Sequence, residues 1–196
     1  MQKKFFKIAA LCIALSFSGI ARGASFQPVL KKALNGDAQA QFELGEMYDL
    51  GKGGLYQDRE EAFRWYSKAA EKGHVEAEFM TGAMYDNGYG VEKNLLEASK
   101  WYRKAAEKGN SRAQNNLAHM YEQGEGVDRN EAEAFKWYSK AAEKGLPAAQ
   151  YNLGFMYYNG KGTEKNLDEA KKWWRLAARQ GNIKAQNNLR TLGEKW

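Results

Sequence analysis

Two histidines, one cysteine, a recurring Gly-x-Gly and many carboxylates are the residues of this chain whose types could do chemistry. A zinc site needs His or Cys ligands at short, defined spacing. His74 and His119 lie far apart, with no cysteine near either. His74 follows Gly73 and reads as a solvated loop residue, while His119 falls within a helical pattern and reads as a groove or surface residue. The Gly-x-Gly elements begin at Gly51, Gly88, Gly124 and Gly160. Each follows a helical pattern rather than a strand. None has the third glycine of a dinucleotide loop or the Gly-Lys-Ser/Thr of a P-loop, so turn geometry at a helix exit explains them. No serine opens a Ser-x-x-Lys element. The acids gather at exposed helix starts, which leaves no carboxylate pair placed for general acid–base work. The expectation is a protein that is not an enzyme, with no catalytic residue, no metal and no cofactor.

The first 23 residues read as a signal peptide. Lys3, Lys4 and Lys7 precede an apolar run from Ile8 to Phe17, which is too short to span a bilayer. Ala21-Arg22-Gly23 offers small residues at the third and first positions before a cut, so cleavage is expected before Ala24. Cys12 lies within this segment, so the mature chain would carry no thiol and no disulfide. A periplasmic or secreted, bacterial location follows, with no membrane span after cleavage. The segment also distorts the charge balance. The whole chain has 30 Lys and Arg against 24 Asp and Glu. Without Lys3, Lys4, Lys7 and Arg22 the balance is 26 to 24, a net of +2. These charges are interleaved as on solvated helix faces, which argues against a nucleic-acid partner.

The elements that must position any site come from a repeat. Trp-Tyr-x-Lys-Ala-Ala-Glu-Lys-Gly begins at Trp65, Trp101 and Trp137, with a looser copy at Trp173, so the period is 36 residues. Met47-Tyr48, Met84-Tyr85, Met120-Tyr121 and Met156-Tyr157 recur in phase. Four repeats follow, 40–76, 77–112, 113–148 and 149–184. A partial capping repeat spans 185–196, and an N-terminal capping helix lies within 24–39. Each repeat holds a first and a second helix. The second starts after Asp58, Asn94, Asn130 or Asn166, good N-cap residues, and ends before Gly73, Gly109, Gly145 or Gly181. The first ends at the glycine that opens each Gly-x-Gly. Pro147 falls where a first helix opens, a position that tolerates it. Each helix has one apolar stripe. Trp101 and Trp137 are expected on the stripe shared between helices, and small residues at Gly45, Gly82, Ala118 and Gly154 mark close backbone approach. A lone hairpin cannot bury two stripes, so the repeats must stack.

The pattern Ala149-Gln150-x-x-Leu153-Gly154-x-Met156-Tyr157-x-x-Gly160-x-Gly162, followed by Ala170, Trp173 and Ala177, resembles the Sel-one-like repeat (SLR) family, relatives of the tetratricopeptide repeats. The resemblance covers about residues 40–196. It implies an all-α fold, a right-handed α/α superhelical solenoid with a concave groove, and an adaptor or scaffold role. One cysteine-rich branch of that family is associated with penicillin binding or hydrolysis. Its repeats carry paired cysteines, which this chain lacks.

Positions that vary between copies while the frame stays fixed are where a partner would be read. They are the places of Phe42/Phe79/Asn115/Tyr151, Glu43/Met80/Asn116/Asn152, Glu46/Ala83/His119/Phe155 and Asp49/Asp86/Glu122/Tyr158. They step i, i+1, i+4, i+7 along the first helix and so share a face. The expected binding residues are Asn115, Asn116, His119, Tyr151, Asn152, Phe155, Tyr158 and Asn187, with Asn188 beside them. Asparagine both donates to and accepts from a peptide backbone, and aromatic rings are frequent anchors. The expected function is an adaptor that binds a protein or peptide in the concave groove. The alternatives are an immunity-type inhibitor of a secreted toxin and a cell-wall or peptidoglycan-associated module, with a β-lactam-binding enzyme further behind.

Overall fold

The computed structural model describes residues 26–196. The expected signal peptide and its cleavage site therefore lie outside the described residues. Ten helices and no strand occur among the described residues. They are α1 (Gln27–Leu34), α2 (Ala38–Leu50), α3 (Arg59–Glu71), α4 (Val75–Asn87), α5 (Leu95–Glu107), α6 (Ser111–Gln123), α7 (Glu131–Glu143), α8 (Pro147–Asn159), α9 (Leu167–Arg179) and α10 (Ile183–Thr191). Each helix packs chiefly on its neighbours in sequence, the arrangement of an all-α solenoid.

The helix ends are built as the residue types dictate. The Asp58, Asn94 and Asn130 side chains accept from the backbone N–H three residues on, at 3.0, 3.1 and 3.0 Å, and Asn166 does the same at 3.0 Å. Each such cap contributes about 1 kcal/mol. The first helices end on Gly51, Gly88, Gly124 and Gly160 in the left-handed conformation, with φ between +62° and +77°. Pro147 occupies the first turn of α8, where its missing N–H costs nothing. His74 is not the solvated loop residue expected. It caps α4, its Nδ1 accepting from Ala77 N at 3.1 Å, and its ring stacks on Phe42 with centroids 4.6 Å apart. Imidazole has taken the place of the Asp or Asn that caps α2, α6 and α10.

Burial follows the two stripes. Ala62, Ala98, Ala134 and Ala170 are fully buried in the second helices, and Leu44, Leu117, Leu153 and Leu189 in the first. The small residues have a specific neighbour. A Cβ at Gly45 or Gly82 would lie 2.7 or 2.8 Å from the ring of Tyr66 or Tyr102, and at Gly154 2.5 Å from Trp174. One seam is polar and repeated. Gln41, Gln114, Gln150 and Gln186 donate through Nε2 to the carbonyls of Ala33, Ala106, Ala142 and Ala178 on the preceding helix. Glu78 stands in the same place in α4, 2 % exposed, and pairs with Lys108 at 2.6 Å. The acids are thus not confined to exposed helix starts. The carboxylate lost the amide donor and recruited an ammonium from the end of α5, the second helix of its own repeat.

The tryptophans differ from expectation. Trp65 and Trp137 are each 4 % exposed, whereas Trp101 and Trp173 are only half-buried. Trp65 packs into the cluster of Phe26, Leu30 and Leu44, and Trp137 into the central core; Ser99 and Lys171 stand where the first and third repeats carry Phe63 and Phe135.

Candidate functional site

Helices α2, α4, α6, α8 and α10 are the first helices of successive repeats, and α10 supplies the capping copy. Their variable positions fall into three structural settings. The first place of each set lies at the seam between repeats. Phe42 is half-buried against Tyr66, Phe79 is 9 % exposed, and Tyr151 is half-buried against the cluster around Trp174 and Ala178. Asn187, the corresponding residue of α10, is exposed and accepts from Arg190 at 3.1 Å.

Next to this seam runs a row of amides. Asn152 Nδ2 donates to Asn115 Oδ1 at 3.2 Å, and Asn115 Nδ2 to Asn116 Oδ1 at 3.4 Å. Asn115, Asn116 and Asn152 are therefore brought together across two repeats. His119 is exposed and borders a separate hollow of about 240 Å³ with Asp86, Asn115, Asn116 and Glu125.

The remaining places are aromatic at one end and acidic at the other. Phe155 and Tyr158 are each 37 % exposed. With Trp174, Asn188, Thr191 and Leu192 they line a pocket of about 160 Å³. Tyr158 leans on Trp174 with ring centroids 5.5 Å apart, and the Trp174 indole donates to Tyr151 O at 3.1 Å. Lys161 and Lys165 approach the Phe155 and Tyr158 rings at 5.4 and 5.6 Å. In the earlier repeats the same two positions hold an acid and a phenol. Tyr102 OH donates to Asp86 at 3.2 Å and Tyr138 OH to Glu122 at 3.2 Å. Burial lifts the Tyr66, Tyr102 and Tyr138 phenols well above their ordinary range, and the charges of Asp49, Asp86 and Glu122 lift them further. The fourth repeat exchanges both partners at once, phenol for indole and carboxylate for phenol.

Trp174, Thr191 and Leu192 were missed as site residues. The signal for Trp174 was present in the sequence: it replaces the repeat's tyrosine in the same copy in which Tyr158 replaces the acid. Thr191 and Leu192 carried no such signal, because they join the pocket only through the packing of α10. Among the described residues no three of His, Cys, Asp and Glu converge as metal ligands. No helix among them is long and apolar enough to cross a membrane.

The Sel1 repeat model matches residues 38–74, 75–110, 111–146 and 147–182. The chain belongs to the Sel1 repeat family. The matched segments start where α2, α4, α6 and α8 start, two residues before the recurring alanine that set the frame in the sequence. Among solved structures, this Sel1 repeat chain is similar to c5321, a protective antigen of uropathogenic Escherichia coli strains with an SLR fold. The two are 40% identical with a TM-score of 0.81. It is also similar to a Sel1 repeat protein from Oxalobacter formigenes, at 41% identity and a TM-score of 0.75. The matches cover 84% and 82% of this chain, but only 35% and 63% of those proteins. An immunity protein of Pseudomonas aeruginosa, PA5088, shares the fold at 23% identity and a TM-score of 0.55, over 92% of this chain and 66% of its own. No curated protein matches the sequence. Sel1 repeats are in general protein-interaction scaffolds.

Proposed function

We propose that this Sel1 repeat protein is an exported adaptor that holds a protein or peptide along the exposed face of α6, α8 and α10, taken as the concave side of the solenoid. The observation that carries the reading is the neutral aromatic pocket of Phe155 and Tyr158 beside Trp174, next to the row of Asn115, Asn116 and Asn152. Two large rings each 37 % exposed at one end of an otherwise acidic face are an unusual expense for a surface with nothing to bind. The rings would anchor an apolar side chain of the ligand. The amides would meet its backbone, since each can donate and accept. Tyr151 and His119 would contribute at the edges, and Asn187 would extend the row. Export rests on the lysine-led apolar segment before Ala24.

The test pairs Phe155→Ala/Tyr158→Ala with a control on the second helices, Lys68→Ala/Lys140→Ala. Each variant is used to capture partners from the exported protein fraction of the producing cell, and affinity is then measured on the purified partner. The aromatic pair should weaken binding by about 2–4 kcal/mol, the range for anchor residues, with helical circular dichroism unchanged. The control should change it by less than about 1 kcal/mol. If the aromatic pair unfolds the protein, the rings are core. If it binds normally while the control does not, the partner uses the other face.

A further inference from the structure

A second surface stands out because the repeat contradicts itself there. In the first and third repeats Phe63 and Phe135 project from α3 and α7 onto a tyrosine of the next repeat. Phe63 meets Tyr85 and Phe135 meets Tyr157 edge to face, with ring centroids 5.1 and 5.2 Å apart and interplanar angles of 86°. In the second repeat Ser99 stands in the phenylalanine place and Tyr121 has no such ring against it. The result is an open cleft of about 980 Å³ between α5 and the loop that follows α6, lined by Leu96, Ser99, Trp101, Arg103, Tyr121 and Val127 among others. Ser99 forms its buried floor, with Oγ 2.8 Å from Leu96 O and 3.1 Å from Gly126 O. Trp101 is left half-exposed on its wall.

One turn further along the same helices, the repeats differ in a matching way. Ser67 and Ser139 follow the two phenylalanines, whereas Arg103 and Arg175 follow Ser99 and Lys171. In the fourth repeat the place is filled. Lys171 pairs with Glu194 at 2.9 Å, Arg175 pairs with the same carboxylate, and Arg175 Nε donates to Lys195 O at 3.4 Å. An acidic chain segment thus occupies the position that lacks the ring. In the second repeat Arg103 has no carboxylate within ion-pair distance among the described residues, and its guanidinium turns to the Tyr121 hydroxyl and ring instead.

We infer that this cleft docks an extended peptide segment of a partner protein in which an aromatic residue lies beside a carboxylate. The ring takes the place of the missing phenylalanine, edge-on to Tyr121 as Phe63 is to Tyr85 and Phe135 to Tyr157, and beside Trp101 on the cleft wall. The carboxylate takes Arg103, as Glu194 takes Arg175, and a charge-assisted pair replaces a hydrogen bond to a neutral phenol. Lys100 and Lys104 on the rim add positive potential, although Lys100 already pairs with Glu97. This surface is separate from the face of α6, α8 and α10, and the inference stands or falls independently of that reading.

The probe is the blocked pentapeptide Gly-Asp-Phe-Asp-Gly, titrated into ¹⁵N-labelled protein and followed by amide shifts. Saturable shifts should map to α5 and residues 124–130. Ser99→Phe restores the residue that the neighbouring repeats carry, so it should fold, and it should weaken the peptide by at least about tenfold, or about 1.4 kcal/mol. A peptide with Ala for Phe should lose as much on the wild type. Arg103→Gln should weaken the Asp-bearing peptide but not its Asn counterpart. Binding to Ser99→Phe as strong as to wild type overturns the inference, as do shifts that map to α8 and α10. Sedimentation showing the cleft covered by a second copy of the chain, with no peptide bound, overturns it too.

Discussion

At the scale of single residues, the phenols of Tyr66, Tyr102 and Tyr138 set a pH limit on the fold. All three are nearly fully buried, each near the acid of its own first helix, and each is raised above its usual value by burial and then by that acid. Below about pH 10, phenols are neutral in both folded and unfolded chains, and the stabilisation is fully present. Above it the unfolded chain ionises its tyrosines while the folded chain keeps these protonated. Unfolding then releases protons, and stability falls as pH rises. Urea unfolding at about pH 8 and about pH 10.5 should therefore show a loss at the higher pH that shrinks in Tyr102→Phe. Ultraviolet tyrosinate absorbance should show these phenols ionising only as helical dichroism is lost. Ionisation at ordinary pH in an intact helical fold would contradict the burial.

At the scale of elements, the loop between first and second helices does more than turn. The first glycine of each Gly-x-Gly takes the left-handed cap. From the second repeat on, the second is pressed against the preceding repeat: a Cβ at Gly126 would lie 2.1 Å from Leu95 O, and at Gly162 2.1 Å from Glu131 O. The loop therefore sits directly on the first residue of the previous second helix, where backbone rather than side chain forms the contact. Gly181 has a similar positive φ of +86° but nothing within 4 Å of an added Cβ. Gly181→Ala should cost about 1–2 kcal/mol, the left-handed penalty alone. Gly126→Ala carries that penalty plus a backbone clash that no rotamer relieves, so its denaturation midpoint should fall further. Equal losses would mean that the loop can lift away from α5 at no cost.

At the scale of the whole molecule, the stacking is one-dimensional. Each helix rests chiefly on its sequence neighbours, so among the described residues α1 and α10 each pack on a helix on one side only. The seams are tied by repeated polar contacts, including Lys108 to Gly73 O at 3.1 Å and Lys144 to Gly109 O at 2.6 Å. Opening should begin at the ends and spread inward. Amide exchange should find α5 to α7 the most protected, with α1 and α10 exchanging first. Uniform protection from α1 to α10 would indicate a single cooperative block instead. The cleft beside Ser99 lies within the protected centre, which would keep its walls fixed, whereas the Phe155 pocket depends on Leu192 and Thr191 at the less supported end.

What the sequence determined by itself was whatever repeats with local physics. The 36-residue period, the Asp and Asn caps, the glycine exits and the apolar stripes each depend on near neighbours in the chain, so they were legible as residue types at fixed offsets. The family resemblance rested on the same positions. Tertiary structure decided the contacts made between helices. His74 became a cap and a stacking partner because Phe42 and Gln39 of α2 reach it. Glu78 became buried because Lys108 reaches it from the end of α5. Tyr151 turned toward the seam while Phe155, four residues on, stayed outside, since exposure depends on the helix packed alongside. The cleft beside Trp101 lies where Ser99 replaces the phenylalanine of the neighbouring repeats, a difference visible in the sequence whose consequence needed Tyr121 and its loop to be placed across from it. Periodicity fixes which way a side chain points; only packing fixes what it meets there.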